Sequence, residues 1–177
     1  MRTRTLLVSL SGTALLALGI VLPTSAAADV TTATVTVQGG SLSISAPATA
    51  GNLGSQHNSV AGEIISGPLG QVQVDDARSA VAGSTWVASV ISSAFTPPAG
   101  PAIGASAVGY TAGAITKVGT ATYTANDPGN LTGVSPAVTA TGITGDNSAT
   151  WNPTITVTVP GGMAAGIYSA TITHSVV

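Results

Sequence analysis

Serines abound in this chain, and His57 and His174 supply two imidazoles, so a Ser-His-Asp set can be assembled on paper. No Gly-x-Ser-x-Gly elbow or other local signature accompanies them. His57 lies in a Gln-His-Asn loop and reads as a solvated turn residue. His174 shares a strand face with Tyr168 and Ile172, which reads as a partly buried, hydrogen-bonded histidine. Asp75 and Asp76 are adjacent at an apparent strand end and so point to opposite faces. They cannot serve as an acid/base couple, which needs facing carboxyls roughly 5–9 Å apart. With Asp76 turned inward, Arg78 falls on the same side two positions on, and an ion pair between them would lock the turn before Trp86. Asp127 and Asp146 sit in Asn-Asp-Pro-Gly-Asn and Gly-Asp-Asn, both good turn formers. Calcium is the weaker reading of those two, because no loop of defined ligand spacing surrounds them. No enzyme, no metal and no cofactor is expected.

The two tryptophans are the other candidates. Each would remove roughly 150–250 Å² from water if buried, or offer a sugar-stacking platform if exposed. Trp86 reads as core. Trp151, just before Asn152-Pro153 and near an expected sheet edge, stays open between the two.

The elements that position these residues are strands. Residues 71–95 read as strand, polar turn, strand, with Val72 and Val74 on one face and Trp86, Ala88 and Val90 on one face of the second run. Residues 34–37 and 41–45 alternate about Gly39-Gly40 and read as a hairpin. Residues 63–65 open a short strand, and Ile103, Val108 and Tyr110 anchor an Ala/Gly-rich stretch. Further strands are expected over 115–125, 134–141, 151–159 and 167–177, with a turn at Gly145-Asp146-Asn147. The last places Tyr168, Ala170, Ile172, His174 and Val176 together. No sustained 3.6-residue period and no internal repeat appear. The fold class is all-β, an antiparallel β-sandwich of Ig-like or Greek-key type.

Residues 1–28 read as a signal peptide. Arg2 and Arg4 form the basic start, residues 6–22 the uncharged apolar run, and Ala26-Ala27-Ala28 the cleavage site before Asp29. Ser9, Ser11, Gly12 and Thr13 interrupt the run, which makes a membrane anchor the poorer reading. Residues 29–177 then form a single domain with two basic groups, Arg78 and Lys117, against six acids, a net charge of −4. That balance argues against nucleic acid and against an anionic membrane surface, which need basic clusters. The absence of cysteine excludes disulfides, thiolate metal sites and a lipid-anchored lipoprotein. No Leu-Pro-x-Thr-Gly sorting motif is present. The polar surface is mostly hydroxyls, suited to carbohydrate or to other protein. The expected location is extracellular.

Several pieces together carry a family resemblance. They are Gly39-Gly40-Ser41-Leu42-Ser43-Ile44-Ser45-Ala46-Pro47, Val74-Asp75-Asp76-Ala77-Arg78, and Trp86-Val87-Ala88-Ser89-Val90 with Phe95. Asn147-Ser148-Ala149-Thr150-Trp151-Asn152-Pro153 and the run from Gly166 through Tyr168 to Val176 complete the series. In that order they resemble the WxL-type surface proteins of Gram-positive bacteria, in the form of small secreted actinobacterial proteins. The first Trp-x-Leu motif appears as Trp86-Val87-Ala88, and the distal one as His174-Ser175-Val176, with histidine where the family has tryptophan. The resemblance implies a non-catalytic domain attached non-covalently to peptidoglycan or another wall polysaccharide, often beside partner surface proteins. Trp86, Trp151, His174 and Tyr168 are then the candidate binding residues, with Asp76 and Arg78 as a structural turn. The other expectation is an assembly subunit that binds secreted proteins through an exposed strand edge.

Overall fold

The computed structural model describes residues 31–177. The signal-peptide segment, residues 1–28, lies outside them. The regular structure of the described residues is almost entirely strand: β1 (Leu42–Ser45), β2 (Glu63–Pro68), β3 (Val72–Ser92), β4 (Val108–Thr111), β5 (Thr116–Ala125), β6 (Ser135–Trp151), β7 (Thr154–Val159) and β8 (Ile172–Val176). A single 3-10 turn, Ala105–Ala107, precedes β4. All the pairings are antiparallel. One sheet has the order β1-β3-β6-β5, with β8 also paired to β3, and the other has the order β2-β7-β4.

Period-two alternation explains the core. Val72, Val74, Trp86, Ala88 and Val90 of β3 are buried on one face, as are Ile155 and Val157 of β7. They join Val108 and Tyr110 of β4 and Ala140, Ala149 and Trp151 of β6 in one apolar cluster. Both sheets contribute to it. Burial of this kind contributes roughly 25 cal/mol per Å² of apolar surface, and no metal or disulfide is needed to supplement it.

The structure departs from the sequence reading in five places, each with a local cause. Residues 34–37 form no strand, and β1 pairs with residues 73–76 of β3 rather than closing a hairpin. Gly39 and Gly40 serve close approach instead of a turn. A Cβ on Gly39 would meet the Arg78 carbonyl oxygen at 2.7 Å, and one on Gly40 would meet the Ala77 Cβ at 2.9 Å.

The expected turn between Asp75 and Trp86 does not reverse the chain, because both halves of β3 pair with the same strand, β6. From Asp76 through Ala80 to Ser84, each four-residue step of β3 faces two residues of β6. The surplus chain bulges from the sheet. Ser79 has a left-handed φ of 52°, and its amide donates to Asp146 Oδ1 at 2.8 Å. The expected turn at Gly145-Asp146-Asn147 is likewise an irregularity inside β6, where β6 runs from Ser148 to Thr144 while β5 runs only from Val118 to Thr120.

Trp151 ends β6 rather than beginning the next strand, and it pairs with Val72 in the interior of its sheet. The chain then leaves for the other sheet at Asn152-Pro153. Residues 108–111, read only as anchors, form the edge strand β4 against β7.

Gly119 marks where β5 crosses this irregular region. Its φ is +86°, and a Cβ there would sit 2.5 Å from the Asp146 carbonyl oxygen. Gly119→Ala is expected to destabilise by about 2–3 kcal/mol, combining backbone strain with a clash. Gly142→Ala, at φ +63° with open space around it, is expected to cost only about 1 kcal/mol. Urea denaturation of the two variants checks the difference.

Candidate functional site

Two hydrogen-bonded clusters bring together Asp76, Arg78 and Trp86, and Tyr110, Trp151 and His174. The first closes the bulge of β3. Asp76 is buried, and its carboxylate accepts from Arg78 Nε at 2.8 Å and from Nη2 at 3.0 Å, a bidentate pair. The Arg78 amide also reaches Asp76 Oδ1 at 3.2 Å, and Nη2 donates onward to the Thr85 carbonyl at 3.2 Å. The guanidinium thus ties the entry of the bulge to its exit, one residue before Trp86. On the other side the Asn147 amide donates to Asp76 Oδ2 at 3.0 Å. Asn147 Oδ1 in turn accepts from Trp86 Nε1 at 2.9 Å and from the Tyr123 hydroxyl at 3.2 Å. The Trp86 and Tyr123 rings lie 5.6 Å apart at 53°.

Every buried side-chain polar atom in this cluster has a partner, which is why a charged aspartate is tolerated inside. The Arg78 hydrogen bond holds the Asp76 carboxyl below its ordinary value, against the opposing push of burial, and Asn147 assists. The same pairing raises Arg78 further. Burial, followed by the Asp76 charge, raises the Tyr123 hydroxyl.

The second cluster links the two sheets. Trp151 Nε1 donates to the Tyr110 hydroxyl at 2.7 Å, and His174 Nε2 lies 3.3 Å from the same oxygen. The Tyr110 and His174 rings are 5.7 Å apart at 59°. Burial pushes Tyr110 well above its ordinary value and His174 below its own.

The remaining candidates lie elsewhere. Asp75 is exposed on the opposite face from Asp76, its two oxygens accepting from the Gln73 amide at 2.8 Å each. His57 is exposed in its loop. Tyr168 is half-buried, and its hydroxyl donates to the Ala164 carbonyl at 2.9 Å. Asp127 and Asp146 accept backbone amides, from Ala112 and Ser79 respectively, at 2.8 Å. Among the described residues no group of three or more His, Asp or Glu gathers as a metal site would require.

Trp86 and Trp151 are 1% and 2% exposed, so neither ring can serve as a stacking platform for a sugar. The platform reading of Trp151 is therefore corrected. Its strand is central, and its indole N–H is satisfied inside by Tyr110. Asn147 and Tyr123 were missed as members of the first cluster. Gly-Asp-Asn reads as a turn, and nothing in the sequence separates a turn asparagine from a buried hub. A shallow depression of about 270 Å³ lies beside this cluster, lined by Asp75, Asp76, Ala77, Val118, Asp146, Asn147 and Ser148. Its carboxylates and amide accept or donate hydrogen bonds, and Val118 is 66% exposed beside them. The Asp76 carboxylate and the Asn147 amide are buried and bonded inside the cluster, so Asp75 and Asp146 are the charged groups left at the surface of the depression.

Asn147→Ala strands the Trp86 indole N–H and removes one donor from Asp76, and is expected to cost about 2–4 kcal/mol. Asp76 has a pH signature as well. Its folded value lies below 3.8, so the stability it contributes is complete above that value and is lost as pH falls through the folded one. Arg78→Ala is expected to move the acid-unfolding midpoint to higher pH, as circular dichroism titration of the two proteins checks. Compared with protein-family models, curated proteins and solved structures, this chain matches none.

Proposed function

We propose that this chain is an exported, non-catalytic β-sandwich that attaches non-covalently to the cell wall, at peptidoglycan or a wall polysaccharide. The observation that carries the reading is where the pieces of the WxL resemblance lie. Gly39 to Pro47 spans β1, Val74 to Arg78 and Trp86 to Val90 lie in β3, Asn147 to Trp151 ends β6, and Ile172 to Val176 is β8. These parts lie in β3 or in strands paired to it, while Phe95, Asn152-Pro153 and residues 166–171 of the same pieces lie outside those strands. A set of pieces that converges this way behaves as one structural unit, not as scattered coincidences. The residues where Trp-x-Leu motifs would fall serve as packing anchors, since Trp86 is buried and His174 half-buried. Contact with the wall is then assigned to the surface beside them, at the depression rimmed by Asp75, Val118 and Asp146. The hydroxyl-rich surface and the low charge fit a carbohydrate partner and disfavour nucleic acid.

One observation favours a second reading, an assembly subunit that adds a strand from another secreted protein. β8 pairs with β3 along one side only, and between Ser169 and Val177 it carries no charge, proline or glycine to guard its other side.

Co-sedimentation of the exported protein with purified sacculi tests the first reading. The native protein is expected to pellet. Trp151→Phe, with its ring still in the core, is expected to pellet equally, whereas Asp75→Lys combined with Val118→Lys is expected to stay in the supernatant while remaining folded. If the native protein never pellets with sacculi alone but does so with a protein extract of the surface, the assembly reading replaces the first.

A further inference from the structure

β8 is held by a ladder on one side, by Ile172 and Val176 packed against the core, and by one polar link, His174. The amides of Val87 and Val177 donate to each other's carbonyls, and Ser93 donates to the Thr171 carbonyl. In an antiparallel ladder such pairs alternate, so Thr173 and Ser175 direct their backbone groups at β3, and Ile172, His174 and Val176 direct theirs to the free edge. The His174 side chain faces inward and is the only polar link from β8 to the second sheet among the described residues, through Tyr110 of β4.

The direction of that link follows from donor inventory. Indole nitrogen only donates, so the Tyr110 oxygen accepts from Trp151 and its own proton is free to go to His174 Nε2. The imidazole is then neutral, with its proton on Nδ1, which is buried and has no protein partner among the described residues. We propose that His174 is an acid-sensitive latch, whose protonation breaks the Trp151–Tyr110–His174 chain and releases β8 from the edge of β3 while the rest of the fold persists.

An imidazolium has two donors and no acceptor. Tyr110 would have to accept from both Trp151 and His174, and its own proton would lose its partner. The charge would sit beside a buried Nδ1–H with no carboxylate to meet it. From β3, the residues opposite, Ala88 to Ser92, carry no ionisable group. From β4 the facing group is Tyr110, and from β6 it is Trp151, which does not titrate. Asp127 acts on the Tyr110 hydroxyl through its charge and is bonded to the Ala112 amide. Burial accordingly lowers His174 from 6.5. The sign is fixed by that direction: stability is complete above the unfolded value and declines as pH falls from there toward the folded one. Asp76, held below 3.8, contributes its own loss of stability only below that value. The latch is independent of what the surface binds.

Native-state hydrogen exchange, corrected for intrinsic rates, tests this on the exported protein at about pH 7.5 and about pH 5. The expected result is a loss of protection of about tenfold at the Thr173 and Ser175 amides on acidification, with the β7 amides unchanged. His174→Phe and His174→Gln are expected to remove this pH dependence. Equal loss of protection in β7 and β8, no loss in β8, or an undiminished loss in a folded variant overturns the proposal. Should neither variant fold, the comparison of β8 with β7 in the native protein decides the matter alone.

Discussion

A buried aspartate that must remain charged governs the larger sheet. Asp76 is affordable inside only because Arg78 meets it with two parallel hydrogen bonds and Asn147 takes what remains. That demand dictates the backbone around it. For the guanidinium to reach both Asp76 and the Thr85 carbonyl, β3 must bulge between them, and β6 must bring Asn147 underneath. Trp86 re-enters the core immediately afterwards, with its indole N–H already provided for by the same asparagine. A one-residue slip in either strand would break the network and turn Trp86 outward together. The cluster therefore fixes register in a sheet where hydroxyl side chains are too alike to fix it themselves.

The second cluster does the corresponding task between sheets. Apolar contact is non-directional, and two layers of valine, alanine and isoleucine could slide against each other at little cost. The Trp151–Tyr110 hydrogen bond removes that freedom, since it joins the end of β6 to β4 at a single point. The central features of both clusters are polar atoms on aromatic rings, so specificity and burial come from the same side chains.

Much of this was legible in the sequence, and the limits have physical causes. Alternating valines located the buried faces of β3 and β7, and the two-residue spacing of Asp76 and Arg78 placed them on one side of a strand. The length of β3 and β6 was not legible. Ser79, Gly83, Gly142 and Gly145 take up positive φ in mid-strand, and glycine, serine and asparagine in a row advertise a reversal whether the chain reverses or bulges. Pairing partners were equally hidden. Gly39-Gly40 has the composition of a hairpin turn, yet its role is to let the chain lie close to Ala77 and Arg78, a contact set by a residue nearly forty positions away. Asn147 illustrates the same limit at the site, because its function depends on three partners drawn from β3 and β5.

β3 also sets an order of events. It pairs with β1, β6 and β8, whose partners lie far along the chain: Ser43 meets Asp75, Trp86 meets Ala140, and Val90 meets His174. Its edge cannot be completed until residues beyond 170 are available, and connections of that length close slowly. The β1-β3-β6-β5 path is complete once β6 is available, whereas the edge of β3 at Ala88–Ser92 stays open until β8 joins it.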